Sequence, residues 1–218
     1  MYYSLVDAHG VHLDAKLDKL FEGKRGGTYI ELGAHDGLTQ SNTAFFEFSR
    51  GWRGVLIEPS KACYEECITN RPKSICIHGA CVNNSYSDEF VEGDFDGRLM
   101  SSVGGERLKL DLEKHKVRAY TLERILELHT IDSIDFLSLD VEGYELEVLK
   151  GLNLNIYRPT YMLIEVYKDQ FEDLIRFLDS YDYAVYENFT NYSPATNPLW
   201  DGTHNDFLFV DRRCVTKK

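Results

Sequence analysis

Three apolar runs in this chain end on or contain acids, and acids so placed can hold hydroxyls, cations or protons. The first, Thr28-Tyr29-Ile30-Glu31-Leu32, runs into Gly33-Ala34-His35-Asp36-Gly37. The second, Gly54-Val55-Leu56-Ile57, ends on Glu58, and the third, Phe136-Leu137-Ser138-Leu139, ends on Asp140 and continues Val141-Glu142-Gly143. A glycine turn after a strand exposes bare backbone to a ligand. Glu58 falls about one βα unit later, where a carboxylate can accept both hydroxyl protons of a ribose. The turn lacks the Gly-x-Gly-x-x-Gly spacing that brings a pyrophosphate onto a helix N-terminus. Glu31 and Asp36 would repel phosphates and suit a sulfonium, so charge favours S-adenosylmethionine over NAD. Each feature has a structural counterpart: glycine turns are common, a terminal Glu is often solvated, and Asp140 could cap the next helix. It is their joint occurrence that points to a cofactor.

The elements that would position these residues follow from periodicity. A helix over about Leu13 to Phe21 precedes the strand Thr28–Leu32, a helix through Thr43–Phe48 and the strand Gly54–Ile57. Ser60 is placed to cap a helix with Tyr64, Cys67 and Ile68 on one face, and a strand over Ser74–Val82 follows. Thr121 caps a helix through Leu128. Then come the strand Ile134–Leu139, a helix from Tyr144 to Lys150, the strand Tyr161–Val166, a helix over Gln170–Leu178, and two last strands, Tyr183–Tyr186 and Phe207–Val210. Alternating strands and helices predict an α/β fold with a mostly parallel sheet covered on both faces. Residues 1–27 are expected as an N-terminal helical extension and 28–218 as the main domain. Two stretches break the rhythm, 83–120, expected as a loop or hairpin insertion, and 189–204, an Asn-, Pro- and aromatic-rich loop that could close over a ligand, and both are expected as acceptor-binding elements.

Composition limits the partners. The chain has 218 residues, 43% of them hydrophobic, which is enough for one sizeable core. Its formal net charge of -12 repels a nucleic-acid backbone, and its basic pairs, Lys24-Arg25, Arg212-Arg213 and Lys217-Lys218, read as solvated ends. No run approaches the roughly 20 apolar residues of a membrane span, and no secretory pattern opens the sequence, so a cytoplasmic location is expected. Five cysteines without a Cys-x-x-Cys pair read as reduced, packing thiols, although Cys63 and Cys67, one helical turn apart, could share a soft metal.

Two long blocks carry a family resemblance. Gly33-Ala34-His35-Asp36-Gly37 with Ser41-Asn42-Thr43, Phe46-Glu47, Gly51-Trp52-x-Gly54 and Ile57-Glu58-Pro59 resembles the FkbM-type S-adenosylmethionine-dependent methyltransferases. So does Ile134 through Glu145, followed by Val148-Leu149-x-Gly151. The resemblance spans about Tyr29 to Val210. It implies a Rossmann-like class I methyltransferase fold of seven strands, the last antiparallel, and O-methylation, often of a sugar hydroxyl in a glycan or glycosylated natural product. It further implies that Glu31, Gly33, Ala34, His35, Asp36 and Gly37 hold the methionine part of the cofactor, with Ser41, Asn42 and Thr43 beneath. Glu58 and Pro59 would border the ribose, Ala80 and Cys81 the adenine, and Asp140 and Glu142 the methionine amino group. Ser101 and Ser102 resemble a serine pair of the family that borders the acceptor.

The acceptor's proton must also leave. An antiparallel last strand brings His204, Asn205 and Asp206 towards Asp140 and Glu165, so Asp140, Glu165 and His204 are the catalytic candidates. Asp140, Glu142 and Glu165, with Asn205 beside them, could instead hold Mg²⁺ or Mn²⁺, which would lower the pKa of a bound sugar hydroxyl. Tyr192 and Trp200 are candidates to stack on a sugar ring. A lipid or other non-sugar acceptor, an NAD-type oxidoreductase and an inactive binding module stay open as alternatives.

Overall fold

The computed structural model describes residues 1–95, 114–198 and 200–214. Its strands are β1 (Thr28–Leu32), β2 (Arg53–Glu58), β3 (Ile75–His78), β4 (Ala80–Cys81), β5 (Phe90–Gly93), β6 (His115–Tyr120), β7 (Phe136–Leu139), β8 (Tyr161–Tyr167), β9 (Tyr183–Asn188) and β10 (His204–Asp211). Its helices are α1 (Leu13–Leu20), α2 (Lys61–Asn70), α3 (Leu122–Leu128), α4 (Glu145–Lys150) and α5 (Phe171–Asp179). A seven-stranded sheet runs β3-β2-β1-β7-β8-β10-β9, with β10 antiparallel to both neighbours and β1, β2, β3, β7 and β8 mutually parallel. The order reverses between β1 and β7, and a sheet of this kind binds ligands beyond the carboxyl ends of its strands at that reversal. This is the Rossmann-like class I methyltransferase architecture expected from the sequence.

Both sheet faces are covered because the central strands are apolar on both sides. Ile30, Leu32, Val55, Ile57, Leu137, Leu139, Met162 and Ile164 pack with α3, α4 and α5 residues in one core. Tyr29, Leu56, Phe136 and Leu163 pack with Leu13, Leu17, Phe46 and Trp52 in another. α1 therefore covers one face of the sheet, and the segment before it is pinned by Asp14, whose carboxylate accepts from the Tyr3 N–H at 2.7 Å and the Ser4 hydroxyl at 3.0 Å.

Three local readings are corrected. The strand expected over Ser74–Val82 breaks at Gly79, where a Cβ would lie 2.7 Å from the Tyr120 ring. β3 stays in the main sheet, and β4 joins a second, three-stranded sheet with β6 and β5. The insertion is thus a hairpin, β5 antiparallel to β6, within its described part. The helix expected through Thr43–Phe48 is instead largely a π-helical turn, Phe46–Arg50, closed by Gly51 at φ 70°. It turns Glu47 inward, where a buried cation receives it. On α2, capped by Ser60 as expected, the buried face is Cys63 and Cys67, while Ile68 is 45% exposed. Cys67 Sγ lies 3.7 Å from Cys76 Sγ.

Candidate active site

Beyond the carboxyl ends of β1, β2, β7 and β8 lies a cavity of about 580 Å³, within the range of small-molecule sites. Glu31, Gly33, His35, Ser41, Asn42, Glu58, Pro59, Ala80, Cys81, Asp140 and Glu142, all expected at the cofactor, line it. So do Glu165 and His204, and the aromatic pair Tyr192 and Trp200. Ala34, Asp36, Gly37 and Thr43 do not.

Asp36 faces its own turn: its carboxylate accepts from the N–H groups of Leu38 at 2.8 Å and Thr39 at 2.6 Å and from the Thr39 hydroxyl at 2.7 Å. These bonds outweigh its burial and hold its pKa below the ordinary value. Its carboxylate shapes the turn and is not among the groups that line the cavity. Gly37 is required by packing, since a Cβ there would lie 2.7 Å from Arg71 Cγ and 3.0 Å from Cys67 Sγ, at φ +80°. Gly33 is required by the strand ends: a Cβ would lie 1.9 Å from the Asp140 carbonyl oxygen. The glycine thus lets β1 and β7 end side by side, a role distinct from admitting a cofactor.

Glu31 is at the cavity wall but fully engaged. Its oxygens accept from Ser41 Oγ at 2.8 Å, Thr43 Oγ1 at 2.6 Å and the Asn42 N–H at 2.7 Å. It builds the 41–43 turn and shares the cavity wall with Ser41 and Asn42. Asn42 Nδ2 in turn donates to Ser138 Oγ at 3.1 Å, while Asn42 Oδ1 is buried without a partner. Beneath this turn is Arg71, wholly buried, which sequence reasoning missed. Its guanidinium donates to Glu47, the Gly37 carbonyl, Ser41, Tyr29 and Thr43.

Glu58 accepts from the His35 N–H at 2.8 Å and the Ser60 N–H at 2.7 Å. Burial raises its pKa against those two bonds. His35 sits at φ +48°, a region that non-glycine residues seldom enter. The Glu58 bond to its N–H helps hold it there.

The other half of the cavity is acidic. Asp140, Glu142 and Glu165 each offer an oxygen within 4.8 Å of the others. Burial, with Asp140, Glu142 and Asp206 nearby, pushes the Glu165 pKa well above the usual carboxylate range. Glu165 Oε1 faces His204 Nε2 at 3.1 Å, and its Oε2 is buried with no hydrogen-bond partner. His204 Nδ1 lies 2.9 Å from Thr203 Oγ1, so both ring nitrogens are engaged. Asp206, directly across the ladder from Glu165, is pushed up to about 7 by burial. Asn205, expected as a metal ligand, points to the other side of its strand. Its Oδ1 accepts from Thr190 Oγ1 at 2.9 Å and the Tyr192 N–H at 2.7 Å. Alternation along β10 puts it opposite its neighbours, so the acidic group is Asp140, Glu142 and Glu165 without it.

Glu142 has φ +58° and accepts from the Tyr167 hydroxyl at 2.7 Å. Its loop is held by Glu145, whose Oε1 accepts from the N–H groups of Val141 at 3.0 Å and Gly143 at 3.1 Å. The 189–204 loop forms part of the wall: Trp200 Nε1 donates to the His204 carbonyl at 2.7 Å, and the Tyr192 hydroxyl donates to the Val6 carbonyl. Asn197 and Asp201 of the 189–204 loop, Phe95 of the insertion and Tyr144 also line the cavity, as do Leu5, Gln40 and Gly79, which had no sequence signal. Ser101 and Ser102 lie outside the described residues.

The cavity's described lining holds six acids and no Lys or Arg. That matches a cofactor bearing a sulfonium and an ammonium, whereas a pyrophosphate would meet repulsion.

Among solved structures, fibrillarin from Aeropyrum pernix in complex with S-adenosyl-L-methionine is 17% identical, with a TM-score of 0.52 over 91% of this chain and 77% of that one. Human methyltransferase 10 domain containing protein is 12% identical, with a TM-score of 0.50 over 91% and 81%. These likenesses concern the fold. No curated protein matches the sequence. The model of the methyltransferase FkbM domain matches residues 31–185, most of the chain, and this favours methyl transfer over hydride transfer. The chain belongs to the FkbM methyltransferase family.

Proposed function

We propose that the protein transfers a methyl group from S-adenosylmethionine to a hydroxyl oxygen of a sugar in a glycan or glycoconjugate, in the cytoplasm. The observation that carries this reading is the convergence of Glu58, Asp140 and Glu165 from three strand ends on one cavity. Glu58 would take the ribose hydroxyls. Ser41, the orphaned Asn42 Oδ1 and the backbone after Gly33 would take the methionine end, with Ala80 and Cys81 beside the adenine. When bound, the cofactor supplies an electrophilic methyl group.

The chain's own contribution is alignment and proton removal. In-line displacement needs the acceptor oxygen held against the methyl carbon. Glu165 Oε2, buried and without a partner, is the atom to accept the hydroxyl proton. Its raised pKa brings it towards the operating pH, where a general base works best. His204 would hold Glu165 and share the proton afterwards. Tyr192 and Trp200 supply flat apolar surface beside these groups, which suits a sugar ring. A net charge of -12 argues against a nucleic-acid acceptor. The five free cysteines accord with a reducing compartment.

A second reading is favoured by the close approach of Asp140, Glu142 and Glu165. Mg²⁺ or Mn²⁺ held there would bind a sugar hydroxyl and lower its pKa. An acceptor screen with isotopically labelled S-adenosylmethionine, run with Mg²⁺, with Mn²⁺ and with chelator, tests both. Label in a sugar hydroxyl supports the main reading, and label only in non-sugar acceptors overturns it. Full activity in chelator rejects the metal.

A further inference from the structure

Two thiols lie together away from the cavity, beneath the turn that forms its wall. Cys67 is on α2 and Cys76 on the edge strand β3, with their sulfurs 3.7 Å apart. Cys67 is fully buried, and Cys76 is partly exposed. Nothing in the proposed transfer reaction uses either.

We propose that Cys67 and Cys76 form a reversible disulfide under peroxide, and that the bridge loosens the cofactor turn through Arg71 and Gly37. The chemistry balances with a peroxide as oxidant. The Cys76 thiolate attacks one peroxide oxygen, giving a sulfenic acid and releasing hydroxide, which takes up a proton as water. The Cys67 sulfur, on losing its proton, then displaces the sulfenic hydroxyl as a second water, and two thiols have given up two electrons.

Roles follow from surroundings. Either sulfur can donate in the Cys67–Cys76 contact; with Cys67 as donor, that bond and the nearby Arg71 guanidinium lower the Cys76 pKa, while burial and Glu47 oppose the shift. Cys76 is thus the attacking group and partly accessible, with Cys67 as the resolving thiol. A thiol pair in a reduced chain is the pattern of a transient, redox-sensing bridge.

The coupling is steric. Cys67 Sγ packs against Gly37, since a Cβ on that glycine would be 3.0 Å from it. The Cys67 carbonyl accepts from the Arg71 N–H at 2.8 Å. Arg71 Nη1 donates to the Gly37 carbonyl at 2.8 Å. Closing the sulfurs to about 2.05 Å draws Cys67 from under Gly37 and pulls on the helix end that carries Arg71.

The test treats the full chain with hydrogen peroxide, alkylates it in denaturant and maps peptides by mass spectrometry. Expected is a Cys67–Cys76 linked peptide, two hydrogens lighter than its parts, reversed by dithiothreitol, with Cys63, Cys81 and Cys214 still alkylated. Cys76→Ser should abolish the link. Reversal in the wild-type protein keeps the test valid if that variant fails to fold. A sulfinic acid on Cys76 with Cys67 still alkylated, or links to other cysteines, would overturn the site. In the oxidised protein, amide hydrogen exchange at Leu38 to Asn42 should quicken by about tenfold through easier local opening. Unchanged exchange there would overturn the coupling. Neither readout depends on the identity of the cofactor or acceptor.

Discussion

Arg71 Nε donates to Glu47 Oε2 at 2.8 Å with both side chains almost wholly out of solvent. The guanidinium's remaining donors reach the Gly37 carbonyl, Ser41, Tyr29 and Thr43. No ammonium can serve that many acceptors in a plane. Arg71→Met leaves the Glu47 carboxylate buried without its cation and should cost about 3–5 kcal/mol in urea unfolding. Arg71→Lys should recover less than half of that loss. A Lys variant as stable as wild type would show that only the charge matters.

Glu145 makes stability fall as pH rises. Burial, helped by Asp140 and opposed by the Val141 and Gly143 N–H groups, lifts its pKa to about 7, against about 4.3 in an unfolded chain. The folded form holds the proton more tightly, so the contribution is complete below the unfolded value and is lost as pH passes through about 7. Glu145→Gln keeps an acceptor oxygen for both N–H groups and removes the titration. Its melting temperature should vary less than that of wild type between about pH 5 and about pH 8. Parallel curves for the two proteins would refute this origin of the slope.

Glu165→Gln should lower turnover by about 10²–10⁴, the usual range for loss of a positioned base, with little change in affinity for S-adenosylmethionine. His204→Gln should lose less, about tenfold, because it acts through Glu165. Equal losses would move the proton-accepting role to His204.

Gly33 and Gly10 separate steric need from backbone conformation, since both have positive φ, +74° and +78°. A Cβ at Gly10 meets nothing within 4 Å, whereas at Gly33 it meets the Asp140 carbonyl at 1.9 Å. Gly10→Ala should cost about 1–2 kcal/mol from backbone strain alone. Gly33→Ala should cost at least about 3 kcal/mol or prevent folding, as overpacking against backbone cannot relax. Similar losses in chemical denaturation would sink the distinction.

The strands of the main sheet were legible because they are short, apolar runs bounded by glycine or acid. The convergence of Glu58, Asp140, Glu165 and His204 was legible because a doubly wound topology dictates which strand ends meet. The second sheet was not, because β5 is only Phe90–Gly93 in an acidic stretch and β4 hides behind the break at Gly79. Arg71 had no sequence signal of its own: a lone arginine at a helix end before a proline looks solvated. The informative sign was indirect, namely that Glu31 and Glu47 both precede or sit among buried apolar residues and require a partner. Asp36 misled because charge was assigned to the ligand before the turn's own N–H groups were satisfied.

The contact of Gly33 with the Asp140 carbonyl also bears on how such a site can diversify. The ends of β1 and β7 touch there without an intervening side chain, so neither terminus can shift without the other. Under the proposed function, a change of acceptor would fall to the rim, namely the 189–204 loop with Leu5 and Phe95, while the floor stays as it is. A lineage built on this plan would vary in its loops and keep its strand ends.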